Sequence, residues 1–442
     1  MSPTSATNGT TASSSHTSGL PVDEIGPSAS TLPPQPELAT GPFQRPSQML
    51  TPATLCIHAD DHLNTHSAVA PPLHTSTTFR YASNPDELAP WTNVGSPNHI
   101  YSRLSAPNTT RLEAVLSSLL GGPALTYSSG LSAFHALLVF LNPRRVAIGG
   151  GYHGCHGVVA LVSKLTGLQK VELEDADALA TLQPGDLIHV ETPLNPTGEA
   201  RNLEFYASKA RELGCWLSVD ATFAPPPLLE PFRWGCDVVM HSGTKYFGGH
   251  SDMLCGVLAV RPELDAEKGW MRQLLEERVF LGSVMGSLEG WLGVRSLRTL
   301  AVRVERQSSN ATKLVEWLAG EIGRKGSVVG SVVEKVQHAS LQPEAREDNS
   351  WLRRQMPRGW GPVFSVVTRE EDHARRLPSK LHLFHHATSL GGVESLIEWR
   401  AISDSSIAKT VLRVSIGIEG WEDLREDLLQ GFQALLDERK TT

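Results

Sequence analysis

Several features that would place this chain outside the ordinary globular enzymes are scarce or missing. It has five cysteines in 442 residues, an odd number with no C-x-x-C pair. That argues against a disulfide framework and fits a reducing compartment. Basic charge is not in excess, since 39 Lys and Arg stand against 47 Asp and Glu for a net charge of −8. A nucleic-acid partner, which normally needs a basic face, is therefore not expected. No apolar run approaches the roughly eighteen residues of a membrane span, so no membrane partner is expected either. No stretch of about twenty to fifty residues recurs, which removes the repeat architectures.

What remains is 40% hydrophobic and 19% charged, an ordinary globular composition, in a chain too long for one compact core. Residues 1–48 are rich in Ser, Thr, Pro, Gly and Ala and carry no apolar periodicity, so a disordered tail is expected there. Its only basic residue is Arg45, beside acidic Asp23, Glu24 and Glu37. It is thus neither an Arg-rich transit peptide nor the apolar core of a secretory signal, and a cytoplasmic protein is expected.

From about Leu120 to Ala259, short apolar runs alternate with amphipathic stretches, the pattern of βαβ units around a mostly parallel sheet. Three runs, Leu187–Glu191, Trp216–Asp220 and Val238–Ser242, each end in a polar residue. In a doubly wound sheet those ends gather at one edge, where ligands bind. Leu203–Leu213 has helical spacing with Gly214 as its stop. Beyond Val260 the spacing predicts a long helix over Glu277–Thr312, strands over Ser327–Val336 and Gly361–Thr368, and a closing helix over Glu422–Leu436.

The segment His241-Ser242-Gly243-Thr244-Lys245-Tyr246-Phe247-Gly248-Gly249 is the most informative. A lysine just past a strand edge suits an amine that condenses with an aldehyde. Such an amine must be uncharged, so its usual pKa of about 10.4 has to fall by roughly three units. Ser242 and Thr244 could hold a phosphate beside it. Asp220, in Val219-Asp220-Ala221-Thr222, could keep a pyridine nitrogen protonated; alone it reads equally well as a helix cap. Asn195 could bond a phenolic oxygen, though Asn-Pro is also a common turn. Gly130 and Leu131, opening an apolar helix after Ser129, offer backbone N–H groups to a phosphate. Tyr152, after the strand Val146-Ala147-Ile148, could stack on a ring.

Together these segments resemble the Cys/Met-metabolism family of pyridoxal 5′-phosphate (PLP) enzymes, the trans-sulfuration group of cystathionine γ-synthase and γ-lyase. Further motifs carry the likeness: Pro71-Pro72-Leu73-His74, Tyr101-Ser102-Arg103, Ser389-Leu390-Gly391-Gly392-Val393-Glu394-Ser395, and Leu412-Arg413-Val414-Ser415. The resemblance spans about Thr51 to Leu436. It implies an α/β, fold-type I aminotransferase-like architecture with a mostly parallel central sheet and a smaller α+β C-terminal domain. The implied division is an arm at 49–105 reaching a partner subunit, a PLP-binding domain at 106–295 and a small domain at 296–442. It implies PLP on Lys245, phosphate contacts from Gly130, Leu131, Ser242 and Thr244, and cofactor contacts from Asp220, Thr222, Asn195 and Tyr152. Tyr101 and Arg103 would complete a neighbouring subunit's site in a homodimer or homotetramer. An amino-acid substrate would be held by Arg413 and Ser389, near Asn195 and Thr388. Lys245, Tyr152 and Tyr101 are the catalytic candidates. The activity implied is carbon–sulfur elimination on cystathionine-like or other sulfur amino acids, with γ-replacement on an O-acylhomoserine as the alternative.

This chain departs from cystathionine-handling relatives at two places. They carry Glu immediately before Ser-Leu-Gly-Gly, where Thr388 stands here, and many carry Arg where Gly157 stands. The family's Gly-Asn-Pro-Thr is here Ser105-Ala106-Pro107-Asn108, a change expected to reshape the pocket wall on the subunit-interface side. Three rival readings are weaker. Gly149-Gly150-Gly151-Tyr152-His153-Gly154 matches a dinucleotide fingerprint but leaves Lys245, Asp220 and Arg413 unexplained. His153, Cys155 and His156 are too crowded for a structural zinc site, so no metal is expected. A catalytically dead regulator would not need so complete a set.

Overall fold

The computed structural model describes residues 50–441 apart from 65–67 and 89–97, so the tail expected over 1–48 lies outside the described residues. The larger sheet contains β1 (Ala124–Tyr127), β2 (Arg145–Ile148), β3 (Gln169–Glu172), β4 (Leu187–Glu191), β5 (Trp216–Asp220), β6 (Val238–Ser242) and β7 (Gly256–Val260), ordered β1-β7-β6-β5-β4-β2-β3. β7 alone runs against its neighbours; the other pairings are parallel. The smaller sheet contains β8 (Val333–Gln337), β9 (Val363–Thr368), β10 (His385–His386), β11 (Leu396–Trp399) and β12 (Val411–Ser415), ordered β10-β11-β12-β9-β8 and mostly antiparallel. The main helices are α1 (Pro107–Leu120), α2 (Gly130–Leu141), α3 (His153–Thr166), α4 (Leu203–Leu213), α5 (Trp270–Leu281), α6 (Ser287–Leu297), α7 (Leu300–Ile322) and α8 (Trp421–Thr441).

The central strands read as near-continuous apolar runs because both faces are covered. Successive side chains go to opposite faces. Ile188, Val190, Leu217, Val219 and Val239 enter one buried cluster, while Leu187, Val238, Met240 and Leu258 enter the other. A third cluster, with Phe364, Ile397, Leu412, Val414 and Phe432, fills the small sheet. The three expected strand runs occur residue for residue, and Gly214 ends α4 at φ +67°.

Two expectations are corrected. The single helix expected over Glu277–Thr312 is parts of three, because Gly282 at φ +69° stops α5 and an extended Gly286 restarts the chain as α6. Only Val333–Gln337 of the strand expected from Ser327 is extended. Ser327 caps a helical turn over Val328–Val332 by accepting Gly330 N–H, which overrides the β preference of the valines.

Candidate active site

The carboxyl edge of the large sheet gathers the site. Register sets Glu191 opposite Asp220, and Asp220 opposite Met240, two residues before Ser242. The Thr222 hydroxyl joins these strand ends, donating to Asp220 Oδ1 and accepting Ser242 N–H at 2.8 Å. Thr222 N–H also donates to Asp220 Oδ1, at 2.9 Å. Asp220 is 6% exposed, and its hydrogen bonds fall on Oδ1, leaving Oδ2 for a cationic N–H.

Beside it, Glu191 accepts Tyr152 N–H at 2.8 Å on one oxygen and Asn195 N–H at 2.7 Å on the other. One carboxylate thus ties together the turns that carry Tyr152 and Asn195. A Cβ on Gly151, at φ +150°, would lie 2.4 Å from Glu191 Oε2, so this approach requires glycine. Burial first, and the Asp220 charge second, push the Glu191 carboxyl up to about 8. Asp220 is also raised by burial, against the two Thr222 hydrogen bonds. Two carboxylates side by side, Asp220 buried and Glu191 half-buried, call for a positive partner, and a protonated pyridine nitrogen would meet that need.

Lys245 lies in a tight turn after β6, with its N–H on Ser242 O and its carbonyl taken by Gly249 N–H. Arg303, buried behind the turn, donates to Tyr246 O at 2.9 Å. The Ser389–Gly392 loop lies against the front. A Cβ on Gly391 would sit 2.9 Å from the Lys245 carbonyl carbon. Lys245 Nζ donates to Ser389 Oγ at 2.8 Å. Burial, then the Arg413 charge, lower the amine to about 8, with Glu398 opposing.

Arg413 on β12 is 5% exposed and donates to Ser389 O at 2.9 Å, Asn195 Oδ1 at 3.2 Å and Glu398 Oε2 at 2.5 Å. Lys245, Asp220, Asn195, Ser389 and Arg413 therefore belong to one connected cluster with Thr222 and Ser242. Gly130 opens α2 behind the Ser129 capping box, and a Cβ there would lie 3.0 Å from Ser242 Oγ. That puts the first backbone donors of α2 beside the Ser242 hydroxyl, donors of the kind a phosphate can use. Leu131 is the next residue of that turn.

Other expected residues stand differently. The Thr244 hydroxyl is paired with the Cys255 backbone, accepting its N–H at 3.0 Å and donating to its carbonyl at 3.2 Å. Tyr152 is 38% exposed at the N-terminus of α3, with its phenol raised chiefly by burial. Tyr101 is 42% exposed and lies under the Arg103 guanidinium at 5.5 Å, while Arg103 also donates to Val279 O at 3.4 Å. Thr388 is exposed, and a Cβ on Gly157 would meet nothing within 4 Å. Among the described residues no group of His, Cys, Asp and Glu could hold a metal ion.

Glu398 and Arg400 had not been singled out by the sequence. Their signal was a glutamate and an arginine flanking Trp399 at the end of an apolar run, Leu396-Ile397-Glu398-Trp399-Arg400.

A family profile described as "Cys/Met metabolism PLP-dependent enzyme" matches residues 53–433, and the chain belongs to that family. It is a PLP-dependent enzyme of sulfur amino-acid metabolism, with the fold-type I architecture expected. Cystathionine gamma-lyase of Saccharomyces cerevisiae is 30% identical over 86% of this chain and 97% of its own length. Cystathionine gamma-synthase of Escherichia coli is 32% identical over 84% of this chain and 94% of its own. A crystal structure of a putative O-acetylhomoserine (thiol)-lyase from Campylobacter jejuni, which carries a pyridoxyl-lysine phosphate, superimposes with TM-score 0.77. It is 25% identical and covers 87% of this chain and 100% of its own.

Proposed function

We propose that the protein eliminates a thiol from a sulfur-containing amino acid, consuming water and releasing a 2-oxoacid and ammonia. The observation that carries this reading is the double use of Ser389. Its hydroxyl takes Lys245 Nζ at 2.8 Å and its carbonyl takes Arg413 Nη2 at 2.9 Å. A substrate whose α-carboxylate pairs with the Arg413 fork would then have its α-carbon beside the lysine amine.

In this reading Gly130, Leu131 and Ser242 would hold the cofactor phosphate, with Thr244 supporting the turn. Asp220, steadied by Thr222, would meet a pyridine nitrogen, Tyr152 would stack on the ring and Asn195 would bond the phenolic oxygen. Bound there, PLP supplies a sink for the electron pair left when an α-proton departs. Lys245 in its uncharged form takes that proton. Once that proton has been delivered to the cofactor, the same amine would be free to remove a β-proton, so that a γ-thiolate could leave. Tyr152, and Tyr101 from a neighbouring subunit, would be the phenols that hand protons to the departing sulfur. The exposure of Tyr101 and Arg103 supports their use across a dimer or tetramer interface. Five free, buried cysteines support a reduced, cytoplasmic setting. Among the described residues no helix is long and apolar enough to cross a membrane.

One observation favours a second reading. With Thr388 exposed and Gly157 open, those two positions offer no charge for a second amino-acid head group. An uncharged leaving group, such as the ester of an O-acylhomoserine, suits that wall better than cystathionine, and a thiol would then replace it. The deciding experiment offers cysteine, cystathionine, homocysteine and methionine and follows pyruvate and 2-oxobutyrate, with O-acylhomoserines plus thiol in parallel. Oxoacid release is expected. Replacement without oxoacid makes the protein a transferase, and no turnover by PLP-loaded protein leaves a regulator.

A further inference from the structure

Arg413 and Glu398 face each other directly across β12 and β11. Both are about nineteen-twentieths buried, and the guanidinium donates to Glu398 Oε2 at 2.5 Å. A pair of this kind is neutral as a unit, so Glu398 competes with a substrate carboxylate for the same guanidinium. Arg400 changes the charge count. Its Nη1 donates to the same Glu398 oxygen at 2.9 Å, and its Nη2 lies 3.8 Å from Asp404 Oδ2. Arg400 is 2% exposed and Asp404 8%. The remaining acceptors are occupied locally: Glu398 Oε1 takes the Ser403 hydroxyl at 2.7 Å, and Asp404 Oδ1 takes Ser406 N–H at 3.0 Å. The row ends at His153, whose Nδ1 is 3.7 Å from Asp404 Oδ2 and whose ring lies 5.0 Å from that of Tyr152.

We infer that Arg400 is a positioning residue that shares Glu398 with Arg413 and so leaves Arg413 a net attraction for the substrate α-carboxylate. Arg413, Glu398 and Arg400 together carry one positive charge where Arg413 and Glu398 alone carry none. Asp404, on the far side of Arg400, limits that gain. The inference rests on the reading of Arg413 as the carboxylate clamp. It assigns a role in substrate affinity to two residues that the reaction itself does not use.

The signs separate this from a merely structural role. Removing the Arg400 charge should weaken carboxylate binding, whereas removing the Asp404 charge should strengthen it. Damage to the buried network would weaken binding in both cases. The test titrates PLP-loaded protein with L-alanine, which has the α-amine and α-carboxylate but no leaving group, and reads Kd from the cofactor absorbance. Arg400→Met is expected to raise Kd roughly tenfold, Arg400→Lys to stay within about threefold, and Asp404→Asn to lower Kd about twofold. In a Glu398→Gln background, Arg400→Met should change Kd by less than about twofold, because its effect runs through Glu398. With a turned-over substrate, KM should rise in Arg400→Met while kcat stays within about twofold.

An unchanged Kd in Arg400→Met, or a raised one in Asp404→Asn, overturns the inference. Should Arg400→Met fail to fold, Arg400→Gln, which also removes the charge, and Asp404→Asn decide it by the same signs. Arg413→Met in the same titration tests the underlying reading. If its Kd is unchanged the clamp assignment falls, whereas a large loss there with a silent Arg400→Met sinks only the role given to Arg400.

Discussion

Ser389 adopts φ +80° and holds its hydroxyl 2.8 Å from the Lys245 amine. A side chain in this left-handed region costs of order 1 kcal/mol that glycine would not incur. The cost is retained where the backbone must turn to put a hydroxyl on the lysine and a carbonyl on Arg413. Ser389→Ala and Ser389→Gly both remove the hydroxyl, and both are expected to lower kcat/KM about tenfold or more. The glycine variant should be the more stable of the two by about 1 kcal/mol in denaturant unfolding. Full activity in either variant would remove the hydroxyl from the account.

Burial and the Arg413 charge lower the Lys245 amine to about 8. At pH 7 roughly one-tenth of it is then uncharged, against a few in ten thousand for an ordinary lysine. Capture of added PLP by cofactor-free protein should therefore speed up nearly tenfold from pH 6 to pH 7 and level off above about pH 8. Stopped-flow absorbance follows it. A rate still climbing steeply between pH 9 and 10 would mean that the amine keeps its ordinary affinity for protons.

Glu191 is raised to about 8, by burial and then by Asp220. A carboxyl raised on folding binds more protons in the native state than in the unfolded state. Its stabilising contribution is complete below the unfolded value near 4.5 and is lost as pH rises toward 8. Cofactor-free protein should lose thermal stability across that window, and Glu191→Gln should flatten the decline. Added PLP should restore most of the loss at pH 8, since it brings a cation to the pair. Thermal unfolding at pH 5, 6.5 and 8 measures all three.

The three strands that lead to the site were legible residue for residue, because buried parallel strands are apolar runs and their polar last residue marks the ligand edge. Lys245 and Asp220 stand out as polar groups at or just past the end of an apolar run, whereas Asn195 reads equally well as a turn residue and Arg413 comes from the family motif. The helices after Val260 were less legible. Their polar faces run on through Gly282, and nothing local declares that this glycine takes φ +69°. The valines of Val328–Val332 favour a strand until Ser327 caps them. Glu398 and Arg400 stayed hidden because their meaning is a cross-strand register, Glu398 opposite Arg413, which pairing in space sets.

Thr388 is exposed and directly precedes Ser389 in the chain. A carboxylate there would offer a partner to a distal ammonium. Thr388→Glu is expected to raise kcat/KM for cystathionine relative to an O-acylhomoserine by about tenfold, the low end of what a hydrogen bond to a charged group contributes. Steady-state kinetics with both substrates measures the ratio, and an unchanged ratio would show that this position does not face the substrate's far end.

The central claim is that Lys245 carries the cofactor. Borohydride reduction of the PLP-loaded protein, followed by peptide mapping, tests it most directly. The pyridoxyl group is expected on Lys245 alone, with the visible absorbance lost in step and no stable labelling in Lys245→Ala. A label on another lysine, or none after incubation with excess PLP, would contradict the account.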